Sequence, residues 1–423
     1  NLNLRLFDAN PNTQTTSSAG LTAGMHTYYE DRLIDYAEPM LVHDQFGDKY
    51  PIPQHNGKTI EFRKYSPLSK ALTALTEGVT PDGGNINMST LTATISQYGY
   101  YITISDILEL AHVDPQIEQA TKLLGSQAGR TLDTITRDVI VGGTNVMYAP
   151  TVAGGVETEV LSREDLNSTS LLDVKRIFQA AAKLNSMNAR PIDDSFVAIV
   201  HPNVACDLMT SDKWLDVHKY AQPENIYKGE IGKLGGVRFV ETTEAKIIAA
   251  DVMLGLTGYL RTTLYAAVTS DDDIYPNDVF TTTQATAINA AITAGAEYKL
   301  YVGGQEVTVS SVTGGAVGTC LITLTESITA AKDAVVCGVG AAKGGESVYC
   351  TMFIAQNAYG VTELSGGGLQ HIVKQMGSAG SGDPLNQRAT TGWKATKVAE
   401  RLVEEYMVRL EHCCETALFA EAN

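Results

Sequence analysis

Between residues 57 and 141 the sequence holds a pattern that few self-contained folds accept. Two long alternating segments flank a polar, turn-rich tip, and one uninterrupted helix follows. The first arm, residues 58–65, alternates apolar and polar from Ile60 through Phe62, and the second, residues 90–104, alternates again. The residues between them are rich in Pro67, Gly78, Pro81, Gly83 and Gly84 and offer little apolar material to fold back on. This reads as a hairpin with a large tip, reaching away from its own domain. A reaching arm needs something to land on, and another subunit is the expected landing place.

The helix is bounded by its own chemistry. Asp114 is suited to the N-cap, Pro115 to the first helical position, and Gly142-Gly143 to the stop. Ile117, Leu124, Leu132, Ile135 and Val139 mark one apolar stripe along roughly 40 Å, at about 1.5 Å per residue. Few acids or bases and no His lie on that stripe, so the helix is expected to be a beam and not a carrier of catalytic groups.

Near Gln97–Gly99 the apolar phase slips by one: Leu91, Ala93 and Ile95 precede it, and Tyr98, Tyr100, Ile102 and Ile104 follow. A slip beside a glycine predicts a β-bulge that bends the arm as it leaves the domain, with an irregular strand end as the alternative. Further on, Ser170 is expected to open an amphipathic helix carrying Leu171, Leu172, Val174, Phe178 and Leu184. Residues 196–200 and 351–355 read as buried strands, and Gly235-Gly236 as a tight turn before a strand at 237–240. A closing helix is predicted over 394–417, with Val398, Leu402, Val403, Tyr406 and Leu410 on one side. Helices and strands intersperse without regular βαβ units, so the fold class is α+β.

At 423 residues the chain is long enough for two or three cores. No run approaches the roughly 18 apolar residues of a membrane helix. The sequence opens at Asn1, and its first residues lack the basic-then-apolar layout of a signal peptide. The net charge of −17 argues against nucleic-acid binding in the usual sense, which draws on clustered cations. It suits equally a wall that does not adhere to packed DNA and a surface made acidic for solubility alone. Six cysteines, none in a C-x-x-C pair, read as buried free thiols; Cys413-Cys414 fall in the predicted closing helix, and Cys320 and Cys337 flank strand-like runs that would permit pairing if oxidised.

Candidate chemistry is sparse. Gly229-x-x-Gly-Lys233 is too short for a phosphate loop and has Leu234 where Ser or Thr is needed. His201, Cys206 and His218 are loosely spaced for zinc, and a helix cap plus a core thiol explains them as well. Asp271-Asp-Asp273 reads as a solvated loop in preference to a cation site, and no Ser-His-Asp grouping has an elbow around it. No catalytic, cofactor-binding or metal residues are therefore assigned, no cofactor is expected, and the chain is read as a non-enzyme.

Nine stretches, taken in order, resemble the major capsid proteins of tailed bacteriophages, especially the N-four-like coat proteins of short-tailed phages. They are Ala37-Glu-Pro-Met-Leu-Val-His-Asp-Gln-Phe46, Gly57-Lys-Thr-Ile-Glu-Phe-Arg-Lys64, Leu75-Thr-Glu-Gly-Val-Thr-Pro-Asp82, Ser96-Gln-Tyr-Gly99 and Thr121-Lys-Leu-Leu-Gly-Ser-Gln-Ala-Gly-Arg-Thr-Leu-Asp133. Gly142-Gly-Thr-Asn145, Gly229-Glu-Ile-Gly-Lys-Leu-Gly-Gly-Val-Arg-Phe-Val-Glu241, Gln356-Asn-Ala-Tyr-Gly360 and Asp383-Pro-Leu-Asn-Gln-Arg388 with Gly392-Trp-Lys394 complete them.

The resemblance implies the Hong Kong 97-like capsid fold. Residues 1–48 would be an N-terminal arm, 49–104 the extended hairpin, and 105–190 a peripheral domain with a spine helix at 115–141. The axial domain would take 191–254 and 348–360, and 361–423 would return to the peripheral domain. Residues 255–347 depart from the family pattern. Alternating runs at 297–302, 306–310 and 319–325, with turns at Gly303-Gly304 and Gly314-Gly315, predict an inserted small β domain there.

The implied function is a structural protein that self-assembles into hexamers and pentamers of an icosahedral head around double-stranded DNA, held without sequence specificity. Portal, scaffold and cement proteins are the other expected partners, membranes are not, and assembly would take place in the bacterial cytoplasm. Arg63, Lys64 and Glu77 are the candidate polar contacts between subunits, with Phe62 and Leu75 as apolar anchors. Some relatives cross-link subunits by a Lys-Asn bond, and Lys64 or Lys70 lies in the corresponding arm, but no motif marks a matching Asn and acid. The competing reading, from the Thr- and Gly-rich 255–347, is a secreted or surface β-rich adhesin; the missing export signal and the long helix weigh against it.

Overall fold

The computed structural model describes residues 42–66, 68–72, 74, 77, 83–107, 116–211, 232–249, 261–277, 280–376, 378, 385 and 387–423. Most of the expected N-terminal arm, the Asp114-Pro115 cap, Leu75, His218 and Gly229 lie outside them.

A short strand β1 (Asp48–Lys49) leads to β2 (Thr59–Tyr65), β3 (Met88–Thr94) and β4 (Ser96–Ser105), then to helix α1 (Gln116–Val141). Next come β5 (Val146–Tyr148), the hairpin β6 (Thr151–Ala153) with β7 (Val156–Thr158), helix α2 (Val174–Ser186) and β8 (Phe196–Val200). Helix α3 (Pro202–Thr210), β9 (Lys233–Leu234), β10 (Val237–Glu241) and β11 (Ile247–Ile248) follow. Strands β12 (Arg261–Thr263) and β13 (Val268–Ile274) precede helix α4 (Thr282–Thr293), and β14 (Lys299–Val302), β15 (Gln305–Thr313), β16 (Leu321–Ala330) and β17 (Val335–Gly338) come after it. The chain ends through β18 (Val348–Ile354), β19 (Tyr359–Thr362), β20 (Gln370–Lys374), β21 (Arg388–Arg401) and β22 (Met407–His412).

These elements form two compact units, one of residues 1–139 and 357–403, the other of 140–356 and 404–423. In the first, β21 is the axis of a five-stranded sheet. It pairs with β4 along one side, and with β20 and then β19 along the other; β1 extends β19 in parallel. Helix α1 lays Leu124, Ala128 and Leu132 against Trp393 and Ala395 of β21, while the Trp393 indole N–H donates to Gln127 Oε1 at 3.2 Å. The helix stops at Gly142-Gly143 as expected. Of its expected stripe, Leu124 and Leu132 are buried, whereas Ile117, Ile135 and Val139 are only half-buried. Two charged residues, Asp133 and Arg137, are buried on it as well.

The second unit holds a seven-stranded sheet in the order β5-β22-β18-β8-β10-β9, with β11 also on β18. Strand β8 is buried at every position, as its apolar run requires. Gly235 and Gly236, at φ +60° and +77°, turn β9 into β10; a Cβ at Gly235 would also meet the Phe178 ring at 2.6 Å. Within the same unit a six-stranded sheet runs β12-β17-β14-β15-β16-β13. A bridge from Leu264 to Pro276 joins the ends of that order and closes it on itself. Leu300, Val302, Val309, Ile322, Leu324 and Val336 fill its interior together with Ile288 of α4. Helix α4, unforeseen in the sequence, begins with a Thr281/Gln284 capping box and is fixed to β15 through Asn289, whose side chain bonds both the N–H and the carbonyl of Val312.

Several expectations are corrected. The closing helix is absent: residues 388–401 and 407–412 are strands. Ala389, Thr391, Trp393, Ala395, Lys397 and Ala399 are buried alternately, a period of two that three neighbouring strands enforce over any helical spacing. Pairing of β4 with β21 is unbroken from Ser96↔Lys397 to Ser105↔Arg388, so there is no bulge at Tyr98. The phase slip arises because the chain changes sheets at Ile95, from the hairpin into the body sheet. Gly99 is there for close approach: a Cβ would lie 2.7 Å from the Trp393 carbonyl oxygen. Helix α2 starts later than Ser170, with Asp173 as its N-cap accepting from the Val174 N–H. Among the described residues, no helix is long and apolar enough to cross a membrane.

Candidate intersubunit surface

The arm starts from a root that the first unit grips tightly. His43 is 1% exposed; its ring donates from Nδ1 to Asp133 Oδ2 at 2.6 Å, and its backbone N–H to Asp133 Oδ1 at 2.8 Å. The Tyr359 hydroxyl donates to the His43 carbonyl. Next to it, Asp44 accepts from the Thr136 hydroxyl at 2.6 Å and from the Lys397 ammonium, which also donates to the Leu132 carbonyl at 2.9 Å. Burial pushes the Lys397 pKa down and the Asp44 carboxylate opposes the fall; burial lifts the Tyr359 phenol well above its usual range. Charges buried this way hold position when fully paired, and here helix, root and β21 pair each other. Gly47 completes the fit, since a Cβ there would stand 2.5 Å from the Tyr359 ring.

Beyond the root the hairpin has little support of its own. Among the described residues β2 and β3 pair only with each other, from Thr59↔Thr94 to Tyr65↔Met88. Of their fourteen positions only Ala93 is buried, and Ile60, Phe62 and Leu91 are half-buried. Toward the tip, Tyr65, Leu68, Leu72, Ile86 and Met88 are exposed, Leu72 to 86%. A lone two-stranded hairpin is marginal in water. Covering each of these side chains fully would contribute about 1.5–3 kcal/mol. An exposed apolar patch on so thin a support marks a surface made to be covered.

The sequence-derived contact residues sit on this arm, but not all face outward. Phe62 packs edge-on against Tyr50, ring centroids 5.2 Å apart, so it ties the hairpin to its own root. Arg63 is exposed and 3.6 Å from Glu61; Lys64 and Glu77 are exposed; Leu75 lies outside the described residues. The apolar tip residues were not singled out from the sequence, because they follow no strand period. Their signal is only that five large apolar side chains flank a Pro- and Gly-rich tip.

The remaining candidates resolve into structure. His201 caps α3, its Nδ1 accepting from the Asn203 N–H at 3.2 Å, while Cys206 is exposed, against the expected core thiol. The other five cysteines are buried and free; Cys413-Cys414 follow a strand and not a helix. Lys233 lies on β9 beside the Gly235-Gly236 turn. Asp271–Asp273, expected in a loop, lie on β13 with their carboxylates within 4.8 Å of one another, where the register against β16 shifts. In the second unit a fully buried Glu411 accepts from Nε and Nη2 of the Arg163 guanidinium, each at 2.7 Å, and pairs with Arg409 at 2.8 Å. Two half-buried arginines thus answer the one buried carboxylate.

The first unit thus combines a clamped root, a hairpin that among the described residues pairs only within itself, and a long helix under a strand-rich sheet. A family model described as phage capsid protein matches residues 88–259. Among solved structures, the chain is similar to the capsid of cyanophage P-SCSP1u, at 12% identity over 87% of each chain with a TM-score of 0.50. It is similar also to the capsid of Ralstonia phage GP4, at 11% identity over 86% of each chain and again 0.50. At such identities the likeness speaks for the fold alone. No curated protein sequence matches the chain. By the family model over residues 88–259 and by fold, the chain is similar to phage capsid proteins.

Proposed function

We propose that the chain self-assembles, as hexamers and pentamers, into the icosahedral head of an N-four-like phage and encloses double-stranded DNA there without reading its sequence. The observation that carries this is the hairpin: an arm rooted through His43 and Asp44, with Tyr65, Leu68, Leu72, Ile86 and Met88 exposed and, among the described residues, no strand partner outside itself. Under this reading the tip and the Arg63–Lys64 pair dock on a neighbouring subunit, with Glu77 and Leu75 in the same contact. A standard interface buries roughly 1,600 Å², and several such contacts per subunit make a durable shell from modest parts. The segments 1–48, 49–104, 105–190, 191–254 with 348–360, and 361–423 serve as N-arm, hairpin, peripheral domain, axial domain and peripheral return. The closed barrel within 255–347 is an added module. Portal, scaffold or cement proteins complete the head, which is built in the bacterial cytoplasm.

The test is to express the chain, alone and with a candidate scaffold, and to image the product by negative-stain electron microscopy beside a sizing column. Closed shells, or rings of five and six, are the expected result. A monodisperse monomer under both conditions would end the proposal.

A further inference from the structure

The sheets of this protein differ in how they treat their edges. The six-stranded sheet joins its end strands at the Leu264–Pro276 bridge, and its end strand β13 carries three aspartates. The seven-stranded sheet ends in β5, of three residues, and β9, of two. In the five-stranded sheet β1 has two residues, both charged, and β20 has five and ends in Lys374. Short, charged or closed edges keep a strand from recruiting another chain.

Strand β4 does the opposite. It runs ten residues, Ser-Gln-Tyr-Gly-Tyr-Tyr-Ile-Thr-Ile-Ser, with no charge and no proline. Among the described residues its only strand partner is β21, in an unbroken register. Along the opposite edge, among the described residues, alternate backbone N–H and carbonyl groups of 96–104 have no strand to meet. Tyr100 and Tyr101 are 54% and 69% exposed, and only Ile104 is buried. An uncharged edge this long is costly to leave bare in a protein whose other body-sheet edges, among the described residues, are short or charged.

We propose that the open edge of β4 is completed in the assembled shell by an extended strand from a second copy of this chain. Continuity points to that occupant: β3 of the projecting hairpin runs into β4 with only Ile95 between them, so whatever covers the arm meets this edge next. The absence of charge also favours backbone pairing over an ionic partner. This inference rests on the coat-protein reading and adds main-chain pairing to side-chain docking.

The test compares amide hydrogen exchange, resolved to single residues, in unassembled subunits and in shells reconstituted from the purified chain. In the subunit, alternate amides across 96–104 should exchange fast, and the amides bonded to β21 slowly. In shells the fast set should slow by about tenfold or more while the slow set stays slow. Shells in which the fast set keeps its subunit rate would overturn the inference and leave the coat-protein reading standing. Protection already present in the lone subunit would overturn it too, assigning the edge to another part of the same chain. If no assembly forms at all, the coat-protein reading falls, and this inference with it.

Discussion

Acid should loosen this fold through one side chain, His412. The imidazole sits in β22 with no solvent exposure. Its Nδ1 faces the Cys413 carbonyl at 2.8 Å and its Nε2 the Thr351 hydroxyl at 2.9 Å. A carbonyl only accepts, so the proton is on Nδ1 and the Thr351 hydroxyl donates to Nε2: the ring is satisfied while neutral. Burial lowers its pKa from 6.5 to about 4, although the nearby Asp207 and Glu411 charges work the other way. The folded state therefore resists a proton that the unfolded chain accepts. The stabilisation is complete above pH 6.5 and drains away as the pH falls toward 4. That interval, at about 1.4 kcal/mol per pH unit, amounts to about 3 kcal/mol. Urea unfolding of the unassembled chain by circular dichroism, at pH 7.5 and 4.5, measures it. His412→Gln retains hydrogen-bonding groups but not the titration. It should be less stable than the parent at pH 7.5 and lose about 2–3 kcal/mol less on acidification. Equal acid losses in parent and variant would refute the reasoning, because every other carboxylate and histidine is common to both.

Reversing charge on the arm, with Arg63→Glu and Lys64→Glu together, should cut shell yield in sedimentation while leaving the subunit's thermal midpoint within a degree or two, since both side chains are exposed. Gly99→Ala places a Cβ 2.7 Å from a β21 carbonyl and should cost about 1–3 kcal/mol in denaturant unfolding. Glu411→Ala removes the buried carboxylate shared by the half-buried Arg163 and Arg409 and should cost about 1–3 kcal/mol by the same assay. Deleting 255–347 removes a barrel with its own core, so shells should still form in electron micrographs; loss of assembly would make the barrel a brace between capsomers.

Much of the architecture was legible where a local pattern and its stop signal agree. Helix α1 has a stripe and Gly142-Gly143, β8 is a continuous apolar run, and the barrel hairpin of β14 and β15 turns at Gly303-Gly304. Strand β21 was not legible, because Val398, Leu402, Val403 and Tyr406 mimic a helical face. The forces that set its period of two come from β4, β19 and β20, all distant in sequence. The site divides the same way. The hairpin shows in alternation, but its gripping root does not, since Asp133 meets His43 across 90 positions and Lys397 meets Asp44 across 353. A lysine in a sequence does not reveal that its carboxylate partner waits at the other end of the chain.

That distance sets a timetable for synthesis. Strand β4 pairs with residues about 300 positions further on, so while the ribosome works it has no β21 to join. The barrel, with all its strands between Arg261 and Gly338, has what it needs much earlier. The first unit can close only when residues 388–401 have emerged, and the root of the arm is clamped by Lys397 at that same late moment. A subunit thus acquires a properly aimed arm as one of its last folding events. On the proposed assembly, the order in which its residues appear holds the nascent chain back from premature polymerisation.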